Sequence, residues 1–235
     1  MPVYIYRRAP SEGAVLLARQ LTAEGIPAHK VRELTPWRIA RASAVICWGD
    51  PAPPGVRHTL NGQPNINKLE ELCVLAAADV PAVEVSTRDL GAGWIGRAAF
   101  HVGGNDLLVP TRTPAFWTRR EAIAKEYRLH IFRGRSIRAG RKDRYRDDAH
   151  EWIRSYNAGW RIVYDGHGVT DRHRSVAKSA LEALGLDFGA VDIGERPDGS
   201  VVVFEVNRAP GIEGNSVATY ARYIREWYGG LDNDR

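Results

Sequence analysis

The stretch FGAVDIGERPDGSVVVFEVNRAPGIEG, residues 188 to 214, constrains this 235-residue chain more than any other. Two apolar runs flank a Pro-Asp-Gly turn signal, which reads as a β-hairpin. Side chains alternate faces along a strand, so Val201, Val203, Glu205 and Asn207 are expected on one side and Val202, Phe204 and Val206 on the other. A two-residue turn at Asp198-Gly199 sets Asp192 directly opposite Glu205, and a four-residue loop from Pro197 to Ser200 keeps that register. Opposed residues have Cβ atoms roughly 4.5–5.5 Å apart, where like charges repel. The apolar flanks add a desolvation penalty. The pair therefore needs a neutraliser. A divalent cation with oxygen ligands meets that need, with Asn207 as a third oxygen donor; water or an Arg from a neighbouring element meets it equally.

The first 85 residues alternate as a β/α unit. VYIY opens as a strand, Ser11 caps a helix running to Glu24, and Gly25 stops it. IPAHKV and SAVICWG are the next strands, and a helix from about Asn67 to Ala78 carries Leu69, Leu72, Cys73 and Ala76 at helical spacing. VPAVEVS then begins a further strand. No G-x-G-x-x-G follows the first strand, so a dinucleotide site is not indicated. From Ser86 the chain becomes Gly-rich, then passes through a strand-like YRLHIF into the basic segment RGRSIRAGRKDRYR. Helices are expected over about 172–185, before the hairpin, and over about 216–228, where Tyr220, Ile224 and Trp227 share one face.

Hydrophobic residues make up 44% and charged residues 26% of the chain, a globular rather than disordered balance. The formal charge of +5 favours partners bearing phosphate, on a small molecule or along a nucleic acid. The two cysteines, Cys47 and Cys73, lie in apolar runs without metal-ligand spacing and read as packing residues. With no disulfide framework and no signal peptide, a cytoplasmic home is expected. Apolar runs end well short of the roughly 20 residues that span a bilayer, so no membrane partner is expected.

The pattern D-x(12)-E-x-N-x-x-P-G-x-E-G, running from Asp192 through Glu205 and Asn207 to Gly214 and preceded by LGLDFGAVDI, resembles the metal-binding end of the ATP-grasp superfamily. It is most similar to ligases that add glutamate to peptides or proteins, and to short ATP-grasp proteins of tailed bacteriophages. The likeness is strongest over residues 126 to 220. It implies an α/β protein whose two α+β lobes sandwich ATP: an ATP-grasp fold with an N-terminal β/α pre-ATP-grasp region. Residues 1–82 would form that region. The ATP-grasp domain would span 83–235, its small lobe about 83–117 and its metal-binding lobe about 118–235.

The same resemblance assigns roles. Asp192, Glu205 and Asn207 would bind two magnesium ions, or manganese in their place, that bridge the phosphates of ATP. KEYRLHIFRGRSIRAGRK resembles the family's E-x-R-x-x-V strand and its basic partner strand, so Glu126, Arg128, His130 and Lys142 would line the cleft. Arg128 and Lys142 would hold phosphate or acyl-phosphate oxygens, a task suited to bidentate Arg. In WIRSYNAGW, Arg154 and Asn157 would approach the phosphates. GRAAFHVGGND would close over them as a loop, with His101, Gly103 and Gly104, because bare backbone N–H groups cradle anions. Arg97 stands where the family usually has a Lys touching the α-phosphate, and the adenine hinge would fall near Phe116 and Trp117.

The implied reaction is ATP-dependent ligation of a carboxylate to an amine through an acyl phosphate, on small-molecule or peptide substrates, with Gly211, Glu213 and Gly214 edging the acceptor pocket. The location implied is the cytoplasm of a bacterium, or of a host cell for a phage-encoded protein. Two other readings stand beside it. Nucleic acid could bind the Arg-dense 133–146 segment, or an ATP-grasp kinase could stop at phosphoryl transfer.

Overall fold

Ser11 opens the first helix as expected, its hydroxyl accepting from the Ala14 N–H. The computed structural model describes residues 1–99 and 113–231. The expectations for His101, Gly103 and Gly104 lie outside the described residues. The chain is a mixed α/β protein and divides into two compact units, each discontinuous in sequence.

Unit 1 comprises Met1–Asn65, Gly185–Gly189 and Arg208–Arg235. It begins with β1 (Val3–Tyr6), α1 (Glu12–Ala23), β2 (Ala28–Val31), α2 (Pro36–Arg41), β3 (Ala44–Cys47) and β4 (Thr59–Leu60). The strands form one parallel sheet in the order β2-β1-β3-β4. β1 and β3 are buried on both faces, and so are apolar throughout. The short α2 was not expected; Thr35 caps it and Pro36 opens it.

Unit 2 comprises Ile66–Leu184 and Ala190–Asn207. Its elements are α3 (Lys68–Ala77), β5 (Val85–Ser86), β6 (Trp94–Arg97), β7 (Phe116–Arg119), β8 (Lys125–Phe132), β9 (Arg135–Arg144), β10 (Trp160–Val163), α4 (Asp171–Ala183), β11 (Phe188–Glu195) and β12 (Val201–Asn207). A five-stranded sheet runs β10-β9-β8-β11-β12, and a three-stranded one runs β5-β7-β6. The basic segment is β9, joined to β8 by a tight turn in which Arg133 and Gly134 both take positive φ. α4 packs on β8 and β12, with Ala177, Ala180 and Leu181 buried. The last helix, α5 (Asn215–Gly230), returns to unit 1 and buries Tyr220 and Ile224. There Tyr220 and Phe188 close on Trp48 at ring-centroid distances of 5.6 and 5.2 Å.

Three expectations change. VPAVEVS does not form one strand, because its backbone is shared between two neighbours. Val203 N–H donates to Pro81 O at 2.7 Å and Val83 N–H to Val203 O at 3.0 Å, while Val85 and Ser86 pair with β7. Cys73 is exposed, although Cys47 is buried. α3 is rotated so that Glu71, Leu72 and Leu75 face inward, because Glu71 accepts the Val206 N–H at 2.9 Å.

The third change is in the hairpin. Arg196 and Ser200 close a three-residue loop, with Gly199 at φ +79°. That loop shifts the register by one residue, and a bulge at Phe204 shifts it back: Ile193 pairs with Val203, but Asp192 with Glu205. Asp192 therefore opposes Glu205 as expected, through two compensating offsets. Because the bulge breaks the alternation, Val201 and Val203 sit on the face opposite to Glu205.

No helix among the described residues is long and apolar enough to cross a membrane.

Candidate active site

Strand alternation gives β8 two different faces. Tyr127, Leu129 and Ile131 point one way; Glu126, Arg128 and His130 point the other. Register brings the partners of the second set onto the same face: Gly140 opposite Arg128, and Arg138 opposite His130. Lys142 is two residues beyond Gly140 on that face, and Asp192 of β11 and Glu205 of β12 join it through their side-chain contacts.

Arg128 grips Asp192 with both arms, Nε to Oδ1 at 2.6 Å and Nη2 to Oδ2 at 2.7 Å. Lys142 Nζ donates to Glu126 and, at 3.3 Å, to Asp192 Oδ2. Glu205 Oε1 accepts from the Asn207 amide at 2.8 Å and lies 4.0 Å from Arg128 Nη2. Its other oxygen is 3.5 Å from Lys68 Nζ. Glu126 and Asp192 are buried, whereas the Glu205 side chain keeps 21% of its accessibility. Arg and Lys thus neutralise the acids, as the sequence left open.

These contacts set the charges. Burial works to raise the Asp192 pKa, but Arg128 and Lys142 outweigh it and hold the carboxyl far below its ordinary range. Glu205 is likewise lowered against its burial, chiefly by Lys68. Glu126 is raised because burial outweighs Lys142. Arg128 is raised, since its acidic neighbours overcome desolvation.

Lys68 and Glu71 are site residues that sequence reasoning missed. Lys68 occupies the first turn of α3, where a cation opposes the helix dipole. Its contacts with Glu71 at 3.2 Å and with Glu205 offset that penalty. The capping box of Asn67 and Glu70 was a legible signal for where α3 begins, but not for what its first turn would meet.

His130 is fully buried and bonded through Nε2 to the Tyr164 hydroxyl at 2.9 Å. Burial and then Arg128 pull its pKa down to about 3, so the imidazole is neutral. Tyr164 needs the space that Gly140 leaves: a Cβ there would stand 2.8 Å from Tyr164 Cδ1. The guanidinium of Arg138 lies over the Tyr164 ring at 4.2 Å.

The remaining expected residues are more scattered. Arg154 donates to Ile123 O at 2.7 Å and lies over Trp160 rather than on the carboxylates. Asn157 is exposed on the loop before β10. Arg97 ends β6, paired with Phe116 of β7, so Phe116 and Trp117 lie in a strand. Gly211, Glu213 and Gly214 precede α5 in unit 1. Several basic residues of 133–146 are engaged within the fold: Arg141 with Asp143, Lys142 with Glu126, Arg144 over Trp160.

No group of three or more His, Cys, Asp or Glu side chains suited to a metal ion occurs among the described residues. The Asp192, Glu205 and Asn207 set instead offers two carboxylates and a carboxamide. Glu205 is partly accessible, and Asn207 turns its amide nitrogen toward Glu205. Hard oxygen donors in that number fit magnesium that shares substrate phosphates.

No family model and no curated protein matches the sequence. Solved structures do match. The ATP-grasp ligase PsnB, complexed with its minimal precursor, superposes with a TM-score of 0.66 at 15% identity, over 89% of this chain and 91% of that one. The D-cycloserine synthetase DcsG gives 0.65 at 17% identity, over 97% and 100%. The macrocyclase MdnC from Microcystis aeruginosa MRC, bound with precursor peptide MdnA, gives 0.63 at 13%, over 94% and 98%. Over nearly its whole length, this chain has the ATP-grasp fold.

Proposed function

We propose that this protein is an ATP-dependent carboxylate–amine ligase that works through an acyl phosphate. The observation that carries the reading is the charged face of unit 2, where Glu126, Asp192 and Glu205 are interleaved with Arg128, Lys142 and Lys68. So many charges gathered on an apolar sheet add little to stability, but suit phosphoryl transfer, which depends on positioning and charge neutralisation. The likeness to ATP-grasp ligases supports the same class. PsnB is known with magnesium and ADP bound, and both PsnB and MdnC with precursor peptides, which favours a peptide or small-molecule substrate.

When bound with ATP, magnesium supplies neutralisation between the phosphates, and Asp192, Glu205 and Asn207 would hold it. Arg128, Lys142 and Lys68 rest on carboxylates. Released from those carboxylates, the three cations would be free to bind phosphate oxygens. A substrate carboxylate oxygen attacks the γ-phosphorus and ADP departs. The amine nitrogen then attacks the acyl carbon, phosphate leaves, and the nitrogen releases its proton as the amide forms. Arg128 is suited to hold the acyl phosphate because its planar fork matches two oxygens at once. Arg154, Asn157 and Arg97 belong to the same proposed nucleotide surroundings.

ADP release should be screened against amino acids and peptides, with mass spectrometry of the product. Glu205→Ala is expected to abolish turnover while keeping the thermal melt of the parent. Undiminished turnover in that variant sinks the metal assignment. A stable phosphorylated product without an amide would instead make the protein a kinase.

A further inference from the structure

Arg138 is an unusual cation on the site face. Among the described residues it has no carboxylate within ion-pair distance, and its Nε is buried without a hydrogen-bond partner. Its register partner His130 is neutral, and its guanidinium rests on the Tyr164 ring. By contrast, Arg128, Lys142 and Lys68 are each matched to an acid. A half-buried, unmatched guanidinium is unfavourable unless an anion visits it, and the aromatic ring below fixes its plane.

The surroundings are built to keep Arg138 in place. Gly140 leaves room for Tyr164, Tyr164 is tied to His130, and His130 is fully buried. On β9, Arg138 is two residues from Gly140, the register partner of Arg128. Two residues along a strand span about 7 Å. The face therefore offers Arg128 to one anionic group and Arg138 to another about 7 Å away, on the side away from Glu126 and Lys142.

We propose that Arg138, supported by Tyr164, is a specificity subsite for a second, non-reacting carboxylate of the substrate, so that the activated acid is an acidic amino acid, a dicarboxylate or a short acidic peptide. This rests on the ligase reading and names its substrate class. The Arg138 fork forms two charge-assisted bonds to that carboxylate, while the reacting carboxylate lies toward Arg128.

The test is calorimetric titration of the full chain with glutarate, butyrate and inorganic phosphate, with magnesium–AMPPNP titrated in parallel into the wild-type protein. Glutarate is expected to bind about tenfold more tightly than butyrate, as befits an added charge-assisted contact. Arg138→Gln should erase the difference, and Arg138→Lys, which keeps the charge but not the fork, should retain part of it. Thermal melts of both variants show that they are folded. Equal binding of glutarate and butyrate, including no binding of either, overturns the proposal. So does a preference that survives in Arg138→Gln, or inorganic phosphate outcompeting glutarate at Arg138. Failure of magnesium–AMPPNP to bind would overturn the ligase reading instead, leaving the carboxylate preference to be judged by its own titration.

Discussion

The two faces of the five-stranded sheet are buried by opposite means. On the α4 side, Tyr127, Leu129, Ile131 and Ile193 are at most 1% exposed, and removing their apolar surface from water stabilises the fold. On the other side, Glu126, His130 and Asp192 are almost as well buried. Their desolvation is only offset by Arg128, Lys142 and Tyr164. One face holds the sheet together; the other is held by it. A face that contributes little to stability yet keeps its charges in register has been shaped by chemistry.

The largest effect expected from breaking this contrast is on the charged side. Arg128→Met leaves Asp192 buried with Lys142 alone and should lower the unfolding free energy by about 3–5 kcal/mol in urea. Arg128→Met combined with Asp192→Leu removes both charges and should recover most of that loss while eliminating ATP turnover. If the single variant is as stable as the parent, the face is solvated and the contrast is false. On the apolar side, Leu129→Ala should cost about 2–5 kcal/mol by transfer and cavity terms. Its ADP release should match the parent wherever the variant remains folded, and a catalytic defect under those conditions would show that the two faces are not separable.

Much of the charged face was legible, because strand alternation and opposed carboxylates are local facts. Asp192 opposite Glu205, and Glu126, Arg128 and His130 on one side of β8, follow from period two and register. What could not be read was anything set by a distant element. Lys68 meets Glu205 across 137 residues of sequence, and no spacing announces it. Tyr164 reaches His130 only because Gly140 leaves a gap on the strand between. Cys73 was assigned inward on helical spacing, but the hydrogen bond from Val206 to Glu71 decided the rotation of α3. The hairpin carries a further lesson. Its key pairing survives a three-residue turn and a bulge that cancel, which single-sequence register arguments cannot see.

The smallest effect sharpens the comparison through protons. His130 on the charged face falls from an ordinary value near 6.5 to about 3, by burial first and Arg128 second. His173, in α4 against Tyr127, is also lowered, again by burial first, but Glu195 at 3.3 Å works to raise it. For both, the unfolded chain binds the proton more readily. The stability each contributes is therefore present above pH 6.5 and is lost as pH falls below it, for His130 over the window from 6.5 down to about 3. Each pH unit inside that window corresponds to about 1.4 kcal/mol for one fully displaced titration. Between pH 6.5 and 5.5 the parent should lose about 1 kcal/mol more than a His130→Gln variant, measured by urea unfolding at each pH. A His173→Gln variant should remove a smaller share of the slope, because Glu195 already favours the protonated ring. If His173→Gln flattens the slope and His130→Gln does not, the burial that matters to protons lies on the α4 face.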